Sequence, residues 1–307
     1  MKYSVITAIA CAALPAMFAA CTSKTFTEQD YTQYVDPTIG TGDHGHVFLG
    51  ANVPFGMVQL GPSQIVKGWD WCSGYHQSDS TLLGFSHTHL SGTGIGDLGD
   101  ILMLPMTYAS DSIAVFSHKD EICRPGYYSV LLRNSGIKAE LTATARTGFH
   151  RYSYPADTDT AFLRLDLGYG IGWDSPTKSE IKLVNDSTIE GYRHSTGWAK
   201  DQRIYFTAIF SQPVSGITFN NDSIKATAVL AFCGVDEPLL VKTGISPVSI
   251  ENAEKNLVAE AGNLAFDAAA ENARLAWNEK LGKVRIETSK EQDKRKFYTA
   301  LYHTMFA

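Results

Sequence analysis

The sequence predicts a mainly β protein, an antiparallel β-sandwich followed by helices. Three observations predict it. Short apolar segments recur roughly every ten residues between positions 101 and 244, separated by Gly, Pro, Asn or Asp, which is the rhythm of strands joined by turns. Residues 137–144 and 162–167 alternate apolar and polar side chains, as half-buried strands do. No helical periodicity interrupts the series before Pro247, so the crossover helices of a parallel sheet are missing.

Taken in order, residues 1–21 stand outside the fold. Met1 and Lys2 form a positive start, residues 5–18 an apolar stretch, and Phe18-Ala19-Ala20-Cys21 places small residues before a cysteine. That pattern predicts a bacterial lipoprotein signal peptide with Cys21 as the lipidated residue, and hence an exported protein anchored in the outer membrane, on its periplasmic or surface face. An ordinary signal peptide with an incidental Cys21 is the alternative. Residues 22–31 read as a tether, and the sandwich occupies 32–247. Its strands are expected at 55–60, 101–106, 127–133, 137–144, 148–154, 162–167, 180–184, 188–192, 203–210, 217–220, 224–232 and 239–244.

Beyond Pro247 the period changes. Ser249 is a suitable N-cap for a helix with Ile250, Ala253, Leu257, Val258 and Ala261 on one face. A second helix spans 264–281, with Phe266, Ala269, Ala273, Ala276, Trp277 and Leu281 in register. Residues 284–287 read as a short strand, and a third helix covers 291–306. We take 248–287 as a helical linker and 288–307 as the start of a second, helical domain. The last helix is aromatic over most of its surface and has no evident partner, so the sequence reads as truncated within that domain.

At 307 residues and 44% hydrophobic content the chain can bury one large core or two smaller ones. A net charge of −6 without a Lys/Arg cluster excludes nucleic acid as the main partner. Beyond the leader, Cys72, Cys123 and Cys233 are an odd set without zinc spacing, and core thiols are the simplest reading.

The stretch that points to function is Gly68-Trp69-Asp70-Trp71-Cys72-Ser73-Gly74-Tyr75-His76. Flat aromatic faces alternate there with hydrogen-bonding groups, which suits a sugar: a ring for its C–H face and a carboxylate for its hydroxyls. Asp70 between two Trp would need a partner if buried. The Gly-rich run 84–100 follows, and the two together read as one loop-built binding surface. Five of the nine histidines lie in the same region: His44, His46, His76, His87 and His89. Pairs at i, i+2 on a strand share a face and could ligate zinc or iron; histidines that orient loops or a sugar are the plainer reading. Asp97 and Asp100 lack the flanking apolar pocket of a glycosidase acid pair. No nucleophile elbow, phosphate loop or dinucleotide fingerprint is present.

Tyr34-Val35-Asp36-Pro37 with Ile39-Gly40-Thr41-Gly42, Pro54-Phe55-Gly56-Met57-Val58-Gln59-Leu60, Gly68-Trp69-Asp70 with Ser73-Gly74-Tyr75, and Phe85-Ser86-His87-Thr88-His89-Leu90-Ser91-Gly92 occur in that order. Together with Gly197-Trp198, Asp201-Gln202-Arg203 and the 297–303 helix, they resemble glycoside hydrolase family 92, bacterial exo-acting α-mannosidases. The resemblance implies an N-terminal β-sandwich, a helical linker and a C-terminal (α/α)6 barrel, missing here beyond its first helix. It further implies calcium-dependent, inverting removal of terminal α-mannose from mannose-terminated glycans, with catalytic carboxylates and calcium ligands in the barrel. Trp69 and Asp70 then match the loop that reaches the terminal mannose, with Tyr75 and His76 as support and His44, His46, His87 and His89 shaping that face. Leu49-Gly50 replaces a common Pro-Gly. A free-standing carbohydrate-binding lipoprotein is the rival reading.

Overall fold

Along Thr160–Asp166, Ala161, Leu163 and Leu165 are buried and the residues between them only partly so; the period-two pattern carries directly into the sheet. The computed structural model describes residues 29–234 and 236–306. The signal peptide, Cys21 and most of the tether expected from the sequence lie outside the described residues. From Tyr31 onward the chain forms one compact unit.

Two antiparallel sheets enclose the core. One has seven strands, in the order Ala51–Asn52, Gln59–Ser63, Gly84–Ser86, Leu102–Met106, Thr160–Asp166, Thr227–Cys233 and Gly216–Asn220. The other has eight: Ser175–Asn185, Thr188–Thr196, Gln202–Phe210, Leu239–Ser246, Thr147–Ser153, Ile137–Ala143, Tyr127–Leu132 and Glu121–Arg124. Leu163, Leu165 and Leu230 from the first meet Leu141, Phe206 and Val241 from the second in one apolar cluster. Burying each such side chain contributes about 1.5–3 kcal/mol before chain entropy is counted.

Where expectation and structure differ, the causes are local. The hairpin Ser175–Asn185 with Thr188–Thr196 is longer than its apolar content suggests, because its first strand is largely exposed and held by ladder bonds with two register shifts. The strand expected at 55–60 begins only at Gln59, since Phe55 turns through a left-handed backbone (φ 57°). Residues 284–287 form no strand. Cys72 is buried and Cys123 half-buried, but Cys233 is exposed, at the outward phase of its strand; all three are free thiols.

The helices are Ile250–Glu260, Phe266–Leu281 and Glu291–His303. Ser249 caps the first as expected, its hydroxyl accepting from Asn252 N. The third is not without partners. Tyr298 stacks on Tyr34 (ring centroids 5.5 Å) and Tyr302 packs on Trp277 (4.3 Å), so the segment 31–35 and the second helix cover its aromatic face. Trp277 Nε1 then donates to Asn52 O (2.8 Å), pinning the pair to the first sheet.

Candidate functional site

Gly68 leads into a single 3-10 turn, Trp69–Trp71, that lifts one indole out of the sheet surface. Trp69 is 61% exposed and is held by its edge, Nε1 donating to Gly94 O at 2.7 Å. His46 meets it edge-on at 4.2 Å between centroids, and His44 lies at 5.7 Å. Both histidines donate to one oxygen of Asp70: His44 Nδ1 to Oδ1 at 2.6 Å and His46 Nε2 to Oδ1 at 3.3 Å. That leaves Oδ2 to face solvent or a ligand. The hydrogen bond to Asp70 raises the His44 pKa, and the same bond lowers that of Asp70, so the carboxylate stays ionised as a hydroxyl acceptor.

The loop that carries the two histidines is tightly folded. Asp43 and His46 both adopt left-handed backbone (φ 49° and 56°). All five such non-glycine residues among those described, Phe55, Leu98 and Ile101 being the others, fall between positions 43 and 101; backbone strain of this kind gathers at functional sites. Gly45 has no alternative, because a Cβ there would stand 2.2 Å from Gly40 O. His76 braces the loop from the side: its Nε2 donates to Asp43 O (3.2 Å), its Nδ1 accepts from Ser78 Oγ (2.7 Å), and its ring packs at a tilt against Trp71 (4.5 Å).

Three expected site residues are elsewhere. Tyr75 is buried, its hydroxyl donating to Glu121 Oε2 at 2.9 Å beside His118, and burial drives its pKa upward; it supports the turn from within. His87 and His89 are also buried, in the segment that follows the strand Gly84–Ser86. His87 Nδ1 donates to Ile101 O (2.8 Å), its Nε2 accepts from His150 Nε2 (3.0 Å), and His150 Nδ1 accepts from Tyr152 OH (2.7 Å). His89 Nδ1 donates to Gln59 O (2.8 Å), and its Nε2 accepts from Ser63 Oγ (3.1 Å). Burial lowers both pKa values to about 4. His89 packs against Gly74, near the end of the 68–76 stretch. Gly74 (φ 83°) sits so close that a Cβ would come within 2.9 Å of the His89 ring.

Asp97 and Asp100 are scaffold. Asp100 pairs with the buried Arg193 (2.7 Å) and accepts from Thr88 Oγ1 (2.6 Å), while Asp97 accepts from Gln202 Nε2 (3.0 Å). Asp174 also binds Arg193. Of the five histidines, only His44 and His46 join a carboxylate in a group that could ligate a metal, with Asp70. Two nitrogens and one carboxylate do not fit calcium, which takes six to eight oxygens, and no step below runs through it.

The run 84–100 was expected in the binding surface, but not that the Gly94 carbonyl fixes Trp69, and exposed Trp173 drew no attention. The signal was present: Gly172-Trp173-Asp174 repeats Gly68-Trp69-Asp70.

Most of the chain matches known proteins. The model of the glycosyl hydrolase family 92 N-terminal domain matches residues 34–246, and that of the family 92 catalytic domain matches 252–307. The chain is similar to a family GH92 alpha-mannosidase of Bacteroides thetaiotaomicron solved with mannoimidazole: 35% identity, TM-score 0.84, covering 91% of this chain and 40% of that one. It is also similar to a family GH92 inverting mannosidase of B. thetaiotaomicron VPI-5482, at 27% identity and TM-score 0.79, covering 90% and 40%. An uncharacterized secreted glycosidase of Arthroderma benhamiae is 29% identical over 325 positions, covering 91% of this chain and 42% of its own length. The chain thus spans about two fifths of the length of these relatives.

Proposed function

The chain belongs to glycoside hydrolase family 92, and from that premise we propose that it supplies the sugar-facing wall of an exo-acting α-mannosidase. The observation that carries this is the exposed Trp69 ring, fixed by Gly94 and flanked by an Asp70 carboxylate with one oxygen open. The ring takes the C–H face of a terminal mannose, and Asp70 Oδ2 accepts one of its hydroxyls. His44 and His46 hold that carboxylate ionised and aimed. The two relatives named mannosidases support the substrate.

The finer reading is an inverting, calcium-dependent enzyme acting on terminal α-mannose, of α-1,2 type, in N-glycans or mannans. Inversion needs an acid and a base roughly 6.5–9.5 Å apart; we assign neither to the described residues, and the 307-residue chain alone is expected not to release mannose. Calcium would draw its oxygens from outside the His44–His46–Asp70 group. Export and lipidation at Cys21 place the protein at the outer membrane, a reading supported by the leader sequence and by the secreted relative. The match of 252–307 to a catalytic domain favours the enzyme over a free-standing binding lipoprotein.

Calorimetric titration with methyl α-mannoside tests the site. Trp69→Ala and Asp70→Ala are each expected to weaken binding by roughly tenfold or more, about 1.4 kcal/mol. Unchanged affinity in both variants would remove the reading.

A further inference from the structure

Three of the five tryptophans stand out in solvent. Trp69, Trp173 and Trp198 are 61%, 66% and 67% exposed, and each follows a glycine. They come from three loops distant in sequence, yet all three loops are tied to residues 94–97. Trp69 Nε1 donates to Gly94 O (2.7 Å), and Trp173 N donates to Gly96 O (2.9 Å). Gly197 rests on Asp97, where a Cβ would stand 2.0 Å from Oδ1. The anchors are three peptide steps apart, so they span at most about 10 Å.

We propose that Trp173 and Trp198 are further sugar platforms continuing from Trp69, so that the site takes an oligosaccharide chain and not the terminal residue alone. The proposal rests on the reading of Trp69 as a sugar platform.

Three features favour a glycan over a protein surface as the occupant. The loops that carry the two rings are anchored on the same stretch of backbone as Trp69. Trp173 and Trp198 make no ring–ring or cation contact among the described residues, and exposed polar residues lie close in sequence to the anchors and rings, Thr93 before Gly94 and the Asp201–Arg203 pair (2.9 Å) shortly after Trp198. A protein interface concentrates its apolar area in a closed core, whereas separate rings among hydrogen-bonding groups match the alternating faces of a sugar chain. The backbone under Trp173 is also set before binding. Gly96 and Gly172 pack backbone to backbone, where a Cβ on either would come within 2.9 Å or 2.7 Å of the other's Cα. A fixed backbone loses little entropy when a ligand lies along it.

The test is calorimetry on the full 307-residue chain with two probes, methyl α-mannoside and an α-linked mannotetraose. Wild type is expected to bind the tetrasaccharide more tightly. Trp173→Ala and Trp198→Ala should each lower tetrasaccharide affinity by roughly threefold to tenfold, with methyl α-mannoside affinity unchanged and with partial rescue by Trp173→Phe. Trp69→Ala should reduce binding of both probes. Equal affinity of wild type for the two probes, or tetrasaccharide affinity unmoved by either distal variant, overturns the extension while leaving the Trp69 site intact. Trp69→Ala without effect on either probe, or no binding by wild type, overturns both readings. A fall in thermal midpoint with no change in tetrasaccharide affinity assigns the rings to packing and also overturns the extension.

Discussion

Two histidine pairs share one spacing and have opposite fates. His44 and His46 flank a glycine in a strained surface loop and share a carboxylate with an exposed indole. His87 and His89 lie buried just past the strand Gly84–Ser86, and every ring nitrogen there has a protein partner. The difference lies in what each pair is charged with. Next to Asp70 a proton on His44 is favoured; in the interior it must be desolvated, and on His87 it would point at the N–H that His150 already donates. The i, i+2 spacing says that two side chains share a face. It does not say which face, because that depends on partners far away in sequence.

The sharpest way to break this comparison is acid. His87 and His89 titrate near 4 in the folded protein and near 6.5 unfolded. A depressed histidine pKa means the unfolded chain binds the proton first, so stability is full above about pH 6.5 and falls as the pH drops toward 4. The loss is on the order of a few kcal/mol per histidine. Urea titrations at pH 7.5 and pH 4.5 should show the midpoint collapsing at the lower pH. A His87→Ala, His89→Ala double variant, already less stable, should lose much less over the same interval; an equal loss would place the acid sensitivity elsewhere.

The strands were legible because they alternate, and the first helix because Ser249 announces it. The site was half legible. Trp69 and Asp70 stood out by composition, and the structure brings His44 and His46 to them. Tyr75 gives its support from inside the fold because its hydroxyl finds Glu121, 46 residues on. Such a partner leaves no local trace. The part Gly94 plays was missed because its contribution is a carbonyl, which every residue has. The aromatic last helix taught a similar lesson: its partners, Tyr31 and Tyr34, lie at the other end of the described chain.

A smaller effect sharpens the outer half of the comparison. His76→Ala removes the ring that holds Asp43 O and packs against Trp71. It is expected to cost about 1 kcal/mol or less in stability and to weaken methyl α-mannoside binding a few-fold, since the His44 loop loses its brace while Trp69 and Asp70 stay. A loss as large as that of Trp69→Ala would make His76 a direct ligand contact.

The most direct measurement is a histidine side-chain 15N–1H correlation spectrum recorded with and without methyl α-mannoside. The ring signals of His44 and His46 should move on titration while those of His87, His89 and His150 stay fixed. Movement of the buried set with the outer pair unmoved would contradict the assignment of the sugar site to Trp69 and Asp70.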